Sequence, residues 1–157
     1  MLDGTSSISN NATIPSGQST FILYRDLSKF KSNTVTISAF LDLTNSSYDA
    51  KIQVWTNSAA IAGSIVKAGQ KGYSIGYGTL PSSFTDSNIA IITDNVTADT
   101  TVTYSKLKME AGTTATPWIP SASEVTPSDY PSYTGWYVGK IVDGQSSDPT
   151  KYNWTKI

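Results

Sequence analysis

Histidine and cysteine are both missing from the 157-residue sequence, which excludes most familiar catalytic chemistry. Without histidine there is no Ser-His-Asp triad, no Cys-His pair, no HExxH zinc site and no base titrating near neutrality. Without cysteine there is no disulfide framework, no thiolate nucleophile and no thiolate metal ligand. Charge is scarce too: 11 Lys+Arg stand against 12 Asp+Glu, and charged residues make up 15% of the chain. So balanced a surface offers no electrostatic footprint for nucleic acid and no polybasic patch for anionic lipid. No apolar run nears the roughly 20 residues of a membrane span, so membrane insertion is not expected. The opening residues carry neither the basic nor the apolar stretch of a signal peptide. Glutamate occurs only at Glu110 and Glu124. A glycoside hydrolase needs two carboxyl groups about 5–5.5 Å or 6.5–9.5 Å apart, and so few glutamates, both late in the chain, argue against an enzyme.

What the chain has in quantity is Ser and Thr, together more than a quarter of it, and aromatics at 11%, among them 9 Tyr and 4 Trp. Hydrophobic content of 38% suffices for a core if the apolar residues alternate along half-buried strands. Residues 34–43, TVTISAFLDL, do this clearly, with Val35, Ile37, Ala39, Leu41 and Leu43 on one face. Segments 20–27, 50–56, 88–93 and 100–110 also read as strands. In 50–56, Ile52 and Val54 alternate with Lys51, Gln53 and Trp55. Segment 59–68, AAIAGSIVKA, fits a short helix or a strand with a Gly bulge. Its β-branched Ile65 and Val66, and the cost of about 1 kcal/mol for Gly63 in a helix, favour the strand. In 72–79, Tyr73, Ile75 and Tyr77 alternate with small residues. Strands recurring every 10–15 residues or so, with turns between, predict an all-β, two-sheet antiparallel sandwich.

Beyond Ala111 the texture changes, and four of the seven prolines fall between 113 and 131. The expected division is a sandwich over 1–120 and, over 121–157, a Pro-rich linker with a small hairpin. That hairpin reads as a strand at 137–142 paired with 152–155. An isolated hairpin is marginal in water, so it is expected to pack on the sandwich or on a neighbouring chain.

Residues 104–120, YSKLKMEAGTTATPWIP, carry a pattern of the form K-L-x-x-E-x-G followed by A-T-x-W-x-P. It is made by Lys106, Leu107, Glu110, Gly112, Ala115, Thr116, Trp118 and Pro120. The pattern resembles the closing strand and exit segment of carbohydrate-binding-module-like jelly rolls in phage tail proteins (baseplate, tail-associated or fibre). The phages concerned infect lactobacilli and related Gram-positive lactic acid bacteria. The opening 2–6, LDGTS, is similar to the start of the same domains. The tail, with Tyr137, Gly139, Asp148, Pro149, Tyr152 and Trp154, is similar to a short module that often follows them. The resemblance covers the first few residues and roughly the last third of the chain. It implies a jelly roll, a place in the virion tail beside other tail subunits, and adhesion to host cell-wall polysaccharide. It implies no cofactor, but jelly rolls of this type commonly hold a structural Ca²⁺, for which Glu110 and the turn Asp residues are the available oxygens. No D-x-D-x-D-G spacing is present to mark such a site.

Saccharide recognition needs an aromatic face against the apolar side of a sugar ring, with planar polar groups around it for the hydroxyls. Trp55 fits the platform role: if Ile52 and Val54 face the core, Lys51, Gln53 and Trp55 face outwards and Asn57 continues that side. The alternative is that strand parity breaks and Trp55 packs in the core. Tyr73, Ile75 and Tyr77 read first as an inward-facing set, and otherwise as a second stacking surface, with Tyr73 and Tyr77 supplying polar tips. Tyr48, in a loop beside Asp49, could gate a groove, and Arg25 could donate several hydrogen bonds to hydroxyls. Trp118, Trp136 and Trp154 read as structural, Trp118 pinning the exit segment to the sandwich. The leading expectation is a non-catalytic carbohydrate-binding module of a phage tail. The alternative is a structural spacer or oligomerisation domain without its own ligand.

Overall fold

A computed structural model of the chain describes residues 8–119 in full and, beyond them, the backbone of two short strands at 133–136 and 153–156. The segments 2–6 and 137–142, Pro120 and the tail residues Tyr137, Gly139, Asp148, Pro149 and Tyr152, for which the sequence raised expectations, lie outside the described residues. Eight strands build the main unit: β1 (Asn10–Ile14), β2 (Thr20–Arg25), β3 (Thr34–Asp42), β4 (Ala50–Thr56), β5 (Ala60–Ala62), β6 (Lys71–Thr79), β7 (Ser87–Thr93) and β8 (Thr100–Ala111). One 3-10 turn, Ser28–Phe30, is the helical element among the described residues. None of their helices is long and apolar enough to cross a membrane.

The strands form two antiparallel four-stranded sheets, in the orders β1-β8-β3-β6 and β2-β7-β4-β5. The chain changes sheet at every step except β4 to β5. This is the connectivity of an eight-stranded jelly roll. Between the sheets lies one core, in which Ile14, Val35, Ile37, Leu41, Ile52, Val54, Ile89, Ile91, Val102 and Met109 are all fully buried. Burying each such side chain stabilises the fold by about 1.5–3 kcal/mol relative to exposure.

The alternation read from 34–43 and 50–56 matches this core. Elsewhere the structure differs from expectation. β1 was not anticipated, because Ala12 and Ile14 are its only apolar contacts with the core. Segment 59–68 is mostly irregular: only Ala60–Ala62 is a strand, and Val66 makes a single bridge to Ala50. Gly63 is needed there because a Cβ would overlap the Ser74 Oγ and approach Ile52 Cγ2 to 2.8 Å. In the second compact unit, Glu124–Ile157, β9 (Tyr133–Trp136) pairs antiparallel with β10 (Asn153–Lys156). The last strand thus pairs with 133–136; the strand expected at 137–142 lies outside the described residues.

Candidate functional site

The inward reading of Tyr73, Ile75 and Tyr77 is overturned. They stand on the outer face of the β1-β8-β3-β6 sheet, 44%, 40% and 65% exposed, while Ser74 and Gly76 between them face inwards and are buried. The reason is the closeness of the two sheets along this edge. Ser74 Oγ accepts a hydrogen bond from the Ile52 N–H at 3.0 Å and donates to the Ser64 carbonyl at 2.6 Å. A Cβ on Gly76 would collide with the Ala62 carbonyl. With backbone filling the interior, only small side chains fit inwards and the aromatics turn out.

On that outer face the register aligns Phe40 with Tyr73 and Ser38 with Ile75. Phe40 and Tyr73 meet edge to face, ring centroids 5.3 Å apart and planes at 77°, a favoured aromatic geometry. The chain leaving β8 then folds back over the same face. Gly112, at φ +98°, makes the turn that a side chain would strain, and its carbonyl accepts from Thr36 Oγ1 at 2.8 Å. Further along, Lys108 and Glu110 grip Thr116. Lys108 Nζ donates to the Pro117 carbonyl at 3.1 Å, to Thr116 Oγ1, and to Glu110 at 3.1 Å. Glu110 accepts from the Thr116 N–H at 2.8 Å and from its hydroxyl at 2.6 Å. Burial pushes the Glu110 carboxyl up, but the hydrogen bonds from Thr116 and Lys108 outweigh it and hold its pKa below the ordinary value.

The result is a groove of about 350 Å³, walled by Trp118, Pro117 and Thr116 on one side and Tyr73 and Ile75 on the other, over Ser38. That volume lies at the lower end of small-ligand pockets, about 300–1,000 Å³. The Trp118 indole N–H beside it is buried and finds no acceptor among the described residues. The exit segment is thus pinned to the sandwich through Thr116 and Pro117, and in being pinned it builds a wall that includes Trp118. The pattern over 106–118 has a structural rationale at most positions: Leu107 is in the core, Lys106 and Gly112 take left-handed backbone, and Glu110 holds Thr116.

The remaining candidates fall elsewhere. Trp55 faces outwards, 36% exposed, but from the opposite sheet. It shares a row with Asn88 and Arg25, which places the Trp55 and Arg25 Cα atoms about 10 Å apart across three strands. Gln53 lies one rung along, beside Ala90. Trp55, Gln53 and Arg25 therefore share one outer face and Tyr73 and Tyr77 the other, with the core between. Arg25 also borders a hollow of about 200 Å³ with Asp26 and Asp86. Asn57 clamps the loop before β7: its Oδ1 accepts from the Thr85 N–H at 3.1 Å and its amide donates to Thr85 Oγ1 at 3.3 Å. Tyr48 ties two loops together, its hydroxyl accepting from the Thr97 N–H at 3.0 Å and lying 2.8 Å from Thr97 Oγ1. These contacts hold the Tyr48 phenol below its usual pKa. Neither Asn57 nor Tyr48 joins the groove. Among the described residues no three acidic side chains converge to hold a metal ion.

Fold and groove together define an eight-stranded jelly-roll sandwich with an aromatic cleft on one outer face. No protein-family model and no curated protein sequence matches the chain. Among solved structures it is similar to the tripod (BppUct-A-L) from the baseplate of bacteriophage Tuc2009, at 21% identity and a TM-score of 0.52. The match covers 94% of this chain and 61% of that one, so the chain spans about three-fifths of its structural neighbour. A looser likeness, 11% identity and a TM-score of 0.38 over 68% of this chain and 72% of that one, is to a family 16 carbohydrate-binding module.

Proposed function

We propose that this chain is a non-catalytic carbohydrate-binding module of a phage tail protein, adsorbing to cell-wall saccharide of a Gram-positive host. The observation that carries the reading is the groove lined by Trp118 and Tyr73: two aromatic side chains and a hydroxyl, Ser38, border one cavity of a near-neutral protein. Flat apolar walls with a few polar groups suit a sugar ring, which is apolar on its faces and polar at its rim. The baseplate origin of the structural neighbour supports a place among tail subunits, and the motif over 106–118 supports the same context. Each site is shallow and its affinity weak, so repeated copies on a symmetric tail would supply avidity without new contacts.

A fluorescent-protein fusion of residues 1–157, applied to a panel of lactic acid bacteria, tests the reading. Strain-selective labelling displaced by purified wall polysaccharide is the expected result. No labelling by a multimerised fusion would leave the structural alternative, a spacer or oligomerisation domain. One observation favours that alternative: Ile75 and Tyr77, 40% and 65% exposed on the edge strand β6, present an apolar strip that another subunit could cover.

A further inference from the structure

A second cavity, of about 270 Å³, adjoins the first on the same outer face and shares Tyr73 with it. Phe40, Asp42, Ser105 and Lys106 line it. The two centre on neighbouring same-face positions of β3, Ser38 and Phe40, which lie about 7 Å apart along a strand. Tyr73, braced by its edge-on contact with Phe40, borders both.

The second cavity owes its polar lining to an irregularity in β8. Ser38 pairs with Lys108 but Phe40 pairs with Ser105, so β8 carries an extra residue opposite this stretch of β3. The inward positions accordingly change phase, from Val102 before the bulge to Leu107 and Met109 after it. Lys106 sits in the bulge at φ +56°, a left-handed conformation disfavoured for any residue with a Cβ. Bulges of this kind re-aim side chains. Here Ser105 and Lys106, neighbours in sequence, both border the cavity. Lys106 makes no ion pair or side-chain hydrogen bond with another described residue. Across the cavity Asp42 brings a carboxylate, which hydrogen bonds from Thr44 hold below its ordinary pKa. One ammonium and one carboxylate cancel in net charge while offering strong donors and acceptors to hydroxyls.

From this we infer that the groove is bipartite and takes a neutral saccharide of at least two rings. One ring lies between Trp118 and Tyr73, and the next over Phe40 with its hydroxyls bonded by Asp42 and Lys106. The inference rests on the saccharide-binding reading and adds to it the length and charge of the ligand.

The test uses the fluorescent fusion of residues 1–157 on a strain it labels. The competitors are single-ring and two-ring neutral fragments from a mild acid digest of that strain's purified wall polysaccharide. Two-ring fragments are expected to displace the fusion at a concentration at least ~10-fold lower than single rings, an advantage of one decade in affinity. Lys106→Gly suits the left-handed backbone and so removes the ammonium without stressing the bulge. It and Asp42→Asn are each expected to reduce that advantage to less than ~3-fold. Equal potency of one-ring and two-ring fragments, or an advantage unaltered in Lys106→Gly, overturns the bipartite groove and leaves adhesion standing. Failure to label any strain overturns both.

Discussion

Lys108 and Glu110, two positions apart on β8 and so on one face of the sheet, form an ion pair at 3.1 Å with side chains 2% and 17% exposed. Between them they hold Thr116, and through it the segment that carries Trp118. A pair so deeply covered is costly to break from one side, because the remaining charge has lost its compensation. Glu110→Gln, which leaves the buried ammonium, is expected to destabilise toward the low end of the about 3–5 kcal/mol seen when one partner of a buried pair is removed. Lys108→Met, which removes the buried charge and keeps the volume, is expected to cost less. Urea midpoints at constant m-value give the order of the two variants.

The same carboxylate predicts a pH dependence. The Glu110 pKa is lowered in the folded chain, so the native state binds fewer protons than the unfolded state as the pH falls. Its contribution is fully present above the unfolded value and is lost as pH drops through the ordinary carboxylate range towards the folded pKa. Asp49, paired with Lys67 at 2.7 Å, is lowered for a related reason, chiefly its hydrogen bond from Lys67. Stability measured from about pH 6 down to about pH 3 should therefore fall, and fall less steeply in Glu110→Gln than in the parent.

Gly76 and Gly72 separate close approach from strand propensity. A Cβ at Gly76 would strike the Ala62 carbonyl, whereas at Gly72 nothing lies within 4 Å. Gly76→Ala is expected to destabilise by about 1–3 kcal/mol, as overpacking does, and Gly72→Ala to leave stability within about 0.5 kcal/mol. Thermal denaturation of the two variants side by side checks this.

Trp118→Phe keeps an aromatic wall and removes an indole N–H that is buried without an acceptor among the described residues. An unsatisfied buried donor costs about 1–3 kcal/mol, so relief of that cost offsets the smaller ring, and stability should change by less than about 1.5 kcal/mol. Trp118→Ala removes the wall itself and should weaken saccharide binding more than Trp118→Phe does. A loss of binding equal in the two variants would assign the role to the indole N–H instead of the ring face.

The sandwich was legible because its central strands obey simple alternation. Val35, Ile37, Ala39 and Leu41 are all fully buried, as are Ile52 and Val54, and this left Trp55 outside as the pattern required. Alternation misled at β6, where hydrophobicity put Tyr73, Ile75 and Tyr77 inside. Ser74 and Gly76 take those places because the backbone at Ile52 and Ala62 of the facing sheet occupies the space, a property of the packed edge that no single strand reveals. The groove was hidden for a different reason. Its two walls are some forty residues apart in sequence and come together only when Gly112 turns the chain back and Lys108 and Glu110 seize Thr116. The glutamate and glycine stood out as a family pattern, but their effect on Trp118 needed the fold.

The most direct test of the account compares three variants of the fluorescent fusion on one labelled strain: Tyr73→Ala and Trp118→Ala in the groove, and Trp55→Ala on the opposite sheet. All three positions are at least partly exposed, and circular dichroism confirms folding before labelling is scored. The account predicts that either groove variant reduces labelling at least ~10-fold, corresponding to about 1.4 kcal/mol or more, while Trp55→Ala leaves it within ~2-fold. Labelling that survives both groove variants and is abolished by Trp55→Ala would contradict it and move the site to the Trp55–Asn88–Arg25 row.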